Sequence, residues 1–330
     1  MPIADRPRIR LGDNVLYPLP LRDGGILQID AGPDIPASES TEDSWSSLVT
    51  QLAAHGFEVS EVRTVLITHA HLDHAGLAGR WAAEGTSIVA GAADVAAITL
   101  GQASSDAQRA LQLTDLRRHG TPIEVIERMR SPRRHIASLR WEPTPAASLA
   151  THGGTYHLKD GHTLEVIDSP GHTPGNLVAF IPETGELFSG DTILPTTVPT
   201  PGMHYPGAID GIEDAPRWPS LPPFVASVAR IREREVRRIL PAHGDVVDNT
   251  SRLFDRFEEH HARRARRVRA ALADGPLSAY GVAKRMFPRI PPRRLGQALT
   301  EVLGHLDRLV EAGAGEFIER DQQVQARLTQ

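Results

Sequence analysis

The 330-residue chain contains no cysteine. Disulfides and thiolate ligands are therefore excluded, and any metal site must be built from histidine and carboxylate. No run approaches the ~18 consecutive apolar residues of a membrane span, so a membrane partner is not expected. The start MPIADRPRIR lacks the apolar core of a secretory signal, which makes the cytoplasm the expected compartment. Internal repeats and low-complexity tracts are absent. The length exceeds one average domain, and two domains is the natural count.

The net charge of −5 is ordinary, but it is unevenly shared. Residues 251–330 hold 15 basic against 10 acidic residues, which leaves residues 1–250 at −10. The run Arg263-Arg264-Ala265-Arg266-Arg267-Val268-Arg269 offers contacts to phosphate, although a helix with an arginine-rich solvated face is the commoner explanation.

What the chain does have is a dense group of metal-capable side chains. Thr68-His69-Ala70-His71-Leu72-Asp73-His74 follows the apolar run Val65-Leu66-Ile67, so three imidazoles and a carboxylate fall where a strand ends and a loop begins. Imidazole and carboxylate suit a borderline cation such as zinc, and α/β folds place their chemistry at strand ends. The pattern recurs three times. His172 in Pro170-Gly171-His172 follows the strand-like residues 163–167, Asp191 follows Leu187-Phe188-Ser189-Gly190, and His243 follows Ile239-Leu240-Pro241-Ala242. A lone Gly-Asp or Pro-Ala-His is usually a turn; the ordered set is specific.

These residues resemble the signature of the metallo-β-lactamase fold superfamily, HxHxDH followed by His, Asp and His. The strand at Leu16-Tyr17 and the turn at residues 25–32 are similar to that fold's first hairpin. The resemblance implies a four-layer αββα sandwich. It also implies that His69, His71 and His172 hold one metal, that Asp73, His74 and His243 hold the second, and that Asp191 bridges them. The expected cofactor is two Zn²⁺ ions, with iron or manganese admitted by the same donors. Two ions sharing a hydroxide supply a nucleophile near neutral pH, and Asp73, the candidate catalytic residue, can orient the attacking water. Asp30 and Thr68 are candidates to orient the imidazoles. One departure is Asn176, where relatives frequently carry histidine.

The expected domains are a catalytic unit, residues 1–255, and a C-terminal unit, residues 256–330. Trp45, Leu48, Val49, Leu52 and Ala53 have the spacing of an amphipathic helix, with Asp43 or Ser44 as its cap and Gly56 beyond its end. Residues 93–141 read as a helical insertion whose natural place is over the metal pocket, as a lid. Its arginines 117, 118, 128, 130, 133 and 134 could meet an anion, but solvated faces account for most of them. In the long proline-rich loop after Asp191, His204 and Tyr205 are weak substrate-binding candidates. The tail reads as helices over residues 262–272, 278–286 and 293–312 and a terminal hairpin. It resembles the winged-helix module of one branch of the superfamily, which serves there as a packing or homodimer element.

The expected function is a dinuclear metal-dependent hydrolase using a metal-bridging hydroxide on a small-molecule substrate, an acyl ester, thioester or lactone. The acidic catalytic region would repel a polyanion. The alternative is a single-strand nuclease with nucleic acid as partner, resting on the basic tail. A non-enzymatic metal-binding protein ranks last, because a full dinuclear set exceeds what binding needs.

Overall fold

A computed structural model of the chain describes residues 5–38, 41–130, 139–146, 149–151, 154–320 and 322–329. Arg133 and Arg134 of the insertion lie outside the described residues. One sheet runs in chain order through β1 (Ile9–Leu11), β2 (Asn14–Pro20), β3 (Ile26–Ile29), β4 (Val62–Leu66), β5 (Ser87–Ala90) and β6 (Leu149–Thr151). Its first three strands pair antiparallel and the rest are parallel. The second sheet is ordered β11 (Arg238–Pro241), β10 (Glu186–Gly190), β9 (Leu177–Ile181), β8 (Thr163–Asp168) and β7 (Thr155–His157). Only β10 and β11 are parallel in it.

The helices of the catalytic region are α1 (Ser44–Ala54), α2 (Leu72–Ala75), α3 (Ala78–Ala83), α4 (Val95–Leu100), α5 (Gln102–Arg118), α6 (Ile123–Arg130), α7 (Pro206–Ile209) and α8 (Leu221–Arg232). As the sequence predicts, Asp43 caps α1, its Oδ1 accepting from Ser46 N at 3.1 Å, while Gly56 beyond its end takes φ +77°. The helix buries Trp45, Leu48 and Leu52.

Three apolar interfaces give four layers. Leu48, Leu52, Trp81 and Ile98 pack against the outer face of the first sheet. Tyr17, Leu27 and Leu66 meet Leu164, Ala179 and Phe188 between the two sheets. Phe224, Val228, Phe254 and Phe257 cover the outer face of the second sheet at Val178, Phe180 and Ile239. The fold is thus the αββα sandwich. Strands such as β9 and β10 are buried at every residue because both of their faces are covered.

The remaining elements are α9 (Thr250–Ala271), β12 (Leu277–Ser278), α10 (Ala279–Met286), α11 (Leu295–Glu311), β13 (Gly315–Arg320) and β14 (Gln323–Leu328), the strands forming a small sheet in the order β12-β14-β13. The long α9 begins twelve residues before the helix read from the sequence, and the boundary expected at 255–256 falls inside it. Its first half buries Leu253, Phe254 and Phe257 against the sandwich, and its second half buries Val268 and Ala271 in the C-terminal core.

The described helices α5 and α6 of the insertion, expected to form a lid, pack on the tail. Leu116 and Ile126 of α5 and α6 are buried in the C-terminal core with Val282, Leu299, Val302 and Leu306, so the insertion's apolar face is a bracket against the tail. Arg118 meets Glu319 at 3.5 Å across that seam. A buried ion pair ties the long loop after Asp191 to the tail as well, Arg217 donating to both carboxylate oxygens of Asp307 at 2.6 and 2.7 Å.

Three buried histidines in these contacts stay neutral at acid pH values where an imidazole in water is protonated. Burial is the largest cause in each, holding His119 down at about 4, His261 at about 3 and His305 at about 4. The unfolded chain, with imidazoles near 6.5, takes up protons that the folded chain refuses. Their stabilising contribution is therefore complete above pH 6.5 and is lost as the pH falls from there towards 4. Urea unfolding at about pH 7.5 and about pH 5 should show a lower free energy at the acid value, each group adding a slope of up to ~1.4 kcal/mol per pH unit. His305→Gln should flatten that slope; a wild-type free energy equal at both pH values contradicts the assignment.

Candidate metal centre

Each metal-capable side chain is delivered by the end of a strand. After β4, Ile67 N still bonds Val89 O at 2.8 Å, and the chain then leaves the sheet at Thr68 and turns into α2. His69 and His71 lie on the turn, and Asp73 and His74 lie on the helix. Both Ala31 N and Gly32 N donate to the His74 carbonyl, at 2.9 and 3.0 Å, and so pin α2 against the end of β3. His172 follows β8, Asp191 follows β10 and His243 follows β11. Gly190, just before Asp191, has φ +49°, and a Cβ there would lie 2.8 Å from the Thr68 side chain, so the close turn requires glycine.

All seven predicted ligands converge. His69 Nε2 and His172 Nε2 stand 2.9 and 3.2 Å from His71 Nδ1. On the other side, His243 Nε2 is 3.4 Å from Asp73 Oδ2, and His74 Nε2 is 3.5 Å from the same oxygen. Asp191 lies between the two groups. Its Oδ2 is 3.6 Å from His172 Nε2, while its Oδ1 is 3.4 Å from His243 Nε2 and 3.7 Å from His74 Nε2. Each of three overlapping trios, His69/His71/His172, His69/His74/Asp191 and Asp73/His74/His243, has its donor atoms within 4.8 Å of one another.

The outward nitrogens are fixed by oxygen acceptors, which sets which nitrogen faces inward. His172 Nδ1 donates to Thr200 O at 3.1 Å and His243 Nδ1 to Asp13 O at 3.0 Å. His74 Nδ1 donates to Asp30 Oδ2 at 2.8 Å. Asp30 also accepts from Thr68 N at 2.7 Å and Thr68 Oγ1 at 3.1 Å, and Thr68 Oγ1 lies 3.1 Å from His69 Nδ1. Asp30 thus takes the supporting place expected of it, and does so with a left-handed backbone, φ +63°. That conformation costs a non-glycine residue roughly 1–2 kcal/mol, offset here by these bonds and by its N–H to Leu66 O at 2.8 Å. Asn176 touches no ligand. Its Nδ2 donates to Ser169 Oγ and Thr192 Oγ1, at 2.7 and 2.9 Å, and cross-ties the loops carrying His172 and Asp191.

One contributor escaped the sequence reading. The fully buried carboxylate of Asp94 accepts from Ala70 N at 2.9 Å, Thr173 Oγ1 at 2.6 Å and Gly175 N at 2.8 Å. It clamps the loop between His69 and His71 to the loop that carries His172. Gly91 belongs to the same clamp, since a Cβ there would sit 1.9 Å from the Gly175 carbonyl. A single aspartate before α4 reads as a helix cap; only its hydrogen bonds across the fold distinguish it.

The electrostatics fit cations. Burial, reinforced by neighbouring imidazoles, pushes His69 and His71 down, and burial also lowers His172, so all three offer neutral lone pairs at pH 7. His74 moves the other way. Burial opposes its charge, but Asp73, Asp30 and Asp191 together raise it to about 10. Those carboxylates are drawing a positive charge into the centre. Moreover, His74 Nε2 and Asp191 Oδ1 are buried without any hydrogen-bond partner, which an ion on that side would satisfy. Burial would raise Asp73, but His74 and His243 hold it well below the usual carboxylate range.

A cavity of about 990 Å³ opens onto the centre at His172 and Asp191. Its remaining walls are residues 194–200 and the C-terminal unit, and no described residue of α5 or α6 lines it. Neither weak substrate candidate lines it either. Tyr205 is buried, its hydroxyl donating to Asp115 Oδ2 at 2.8 Å. His204 donates through Nε2 to the His172 carbonyl at 2.7 Å, and its ring stacks on His71 at 6.0 Å. His204 thus backs the site, whereas Tyr205 is tied to α5.

With this geometry in place, the likeness to known proteins is broad. The sequence model of the Metallo-beta-lactamase superfamily matches residues 22–243. The "Probable metallo-hydrolase YqjP" of Bacillus subtilis is 25% identical over 305 residues, covering 91% of this chain and 88% of that protein. An "Atrochrysone carboxyl ACP thioesterase" of Aspergillus fumigatus is 23% identical over 75% of this chain, which spans 62% of that protein. The crystal structure of a beta-lactamase domain protein from Burkholderia ambifaria superposes with a TM-score of 0.70 at 22% identity, covering 98% of this chain and 91% of that one. That structure speaks for the fold.

The Asp94 clamp generates a direct expectation. Asp94→Ala removes three hydrogen bonds that position two ligand loops, while leaving every ligand in place. Loss of such outer support costs about 10–100-fold in metal affinity. Competition with a chromophoric chelator measures it, and an affinity equal to wild type in a folded variant refutes the clamp.

Proposed function

Since the chain belongs to the metallo-beta-lactamase superfamily and is a metal-dependent hydrolase, we propose that it cleaves a small acyl thioester, ester or lactone at a two-ion centre. His69, His71 and His172 would hold one ion and Asp73, His74 and His243 the other, with Asp191 offering one oxygen to each. Zinc is the proposed metal, with iron or manganese compatible with the same donors. When bound, such ions supply a nucleophilic hydroxide at neutral pH and a Lewis acid for the carbonyl oxygen.

The chain's own residues do the rest. Water adds to the acyl carbon, the C–S or C–O bond breaks, and the products are a carboxylate, a released proton and a thiol or alcohol. Asp73 directs Oδ2 towards His74 and His243, and with its side chain 32% exposed it can accept a hydrogen bond from the attacking water. Asp30 and Thr68 keep His74 and His69 turned inward.

The observation that carries the acyl reading is the wall itself. Leu194, Val198, Pro199, Phe287, Ile290 and Ala298 line the cavity beside His172 and Asp191, an apolar surface suited to an acyl chain. The thioesterase relative supports the same substrate class. The C-terminal unit, which we read as a winged helix, then acts as a packing element that completes the pocket. A cytoplasmic location remains part of the proposal; no helix among the described residues is long and apolar enough to cross a membrane.

A panel of thioesters, aryl esters and lactones tests the reading. Turnover should be abolished by chelation and lost in Asp191→Asn, which weakens the contact to both ligand groups, while single-stranded RNA stays intact. RNA cleavage that depends on Asp191, with no acyl turnover, would replace the acyl reading with a nuclease.

A further inference from the structure

The cavity has a charged side that the hydrolytic reading does not use. Beyond Asp191, the one carboxylate among its described lining residues is Glu301, and that group is occupied: Oε1 lies 2.5 Å from His260 Nε2 and accepts from Arg264 Nε at 2.9 Å. Arg289 and Arg294 also line the cavity, are exposed to solvent, and make no ion pair among the described residues. Arg294 precedes the first residue of the 17-residue α11, whose first turn contains no acidic residue. A cation there is disfavoured by the helix dipole, so positive potential is concentrated on this side, and among the described residues neither arginine has an acidic partner. Phe287 and Ile290 of the same unit give the cavity apolar wall as well.

A pocket with ligating groups at one end, apolar walls and unbalanced guanidinium groups on the C-terminal side fits a substrate of matching pattern. We propose that the substrate carries a phosphate or carboxylate on the part of the molecule remote from the scissile carbonyl, and that Arg289 and Arg294 bind it on the C-terminal side of the cavity. Guanidinium groups suit either anion through paired, charge-assisted N–H donors. The cavity volume lies at the upper end of the range for sites that hold one small molecule, which accommodates an acyl chain together with a charged leaving group. This inference rests on the acyl-hydrolase reading for its choice of substrate, and its test separates the two.

Three thioesters with the same butyryl group distinguish the sources of charge: butyryl-coenzyme A carries phosphates, S-butyrylglutathione carries carboxylates, and butyryl-N-acetylcysteamine carries neither. The wild type should prefer one charged thioester over the neutral one by about 10-fold or more in kcat/KM, mainly through KM, as charge-assisted bonds of ordinary strength imply. In Arg289→Ala/Arg294→Ala that ratio should fall towards one. Independently of turnover, calorimetric titration with coenzyme A and with glutathione should show wild-type affinity for one of them that weakens with salt and drops about 10-fold in the double variant. A selectivity ratio near one, together with thiol affinities that are the same in both proteins, overturns the proposal. So does arginine-dependent binding of single-stranded RNA without any thioester preference. If none of the thioesters is hydrolysed, the acyl reading fails, and the titration alone decides whether the anion site exists.

Discussion

Asp191 stands where two groups of donors meet, with Oδ2 towards His172 and Oδ1 towards His74 and His243. Much of the catalytic region acts to keep those groups together. Four strand ends from two sheets must arrive at one place, and the apolar packing between the sheets fixes their separation. Around them, Asp30, Asp94 and Asn176 tie loop to loop through buried hydrogen bonds. Buried carboxylates and imidazoles brought this close are costly unless a cation balances them. The raised His74 and depressed Asp73 are the local record of that imbalance.

The C-terminal unit belongs to the site as much as to the tail. Because α9 runs unbroken from the sandwich into that unit, and Arg217 bonds Asp307 on α11, the unit is held against the opening of the centre. It contributes one wall of the cavity, and the insertion braces it from the far side through Leu116 and Ile126. The arginine run on α9 divides accordingly. Arg264 and Arg267 lie over the Phe287 ring, at 4.7 and 5.1 Å, while Arg263, Arg266 and Arg269 face solvent. Two of the five arginines in what reads as a nucleic-acid stripe are thus engaged in packing on Phe287, and only Arg264 of them is partly buried.

The centre was legible because its residue types are rare in combination and fall directly after apolar runs that can only be strands. The amphipathic α1 and the apolar face of α11 were legible for the related reason that periodicity records burial. What periodicity does not record is the identity of the partner. The apolar positions of the insertion announce a buried face, but nothing local says that the face meets Leu299 rather than the metal pocket. Tyr205 reads as an open loop residue until Asp115, 90 positions away, takes its hydroxyl. Asp94 has the same character, since its three donors come from two distant loops. The early start of α9 depends on Leu253, Phe254 and Phe257 finding the second sheet.

The central claim is that these seven side chains form two adjoining ion sites that share Asp191. Elemental analysis of protein purified without added metal, comparing wild type with His243→Ala, tests it most directly. Two ions per chain are expected in the wild type, as in other two-metal sites, and about one in the variant, because the His69/His71/His172 group remains whole. A wild-type content well below one ion per chain, not restored by added zinc, would contradict it.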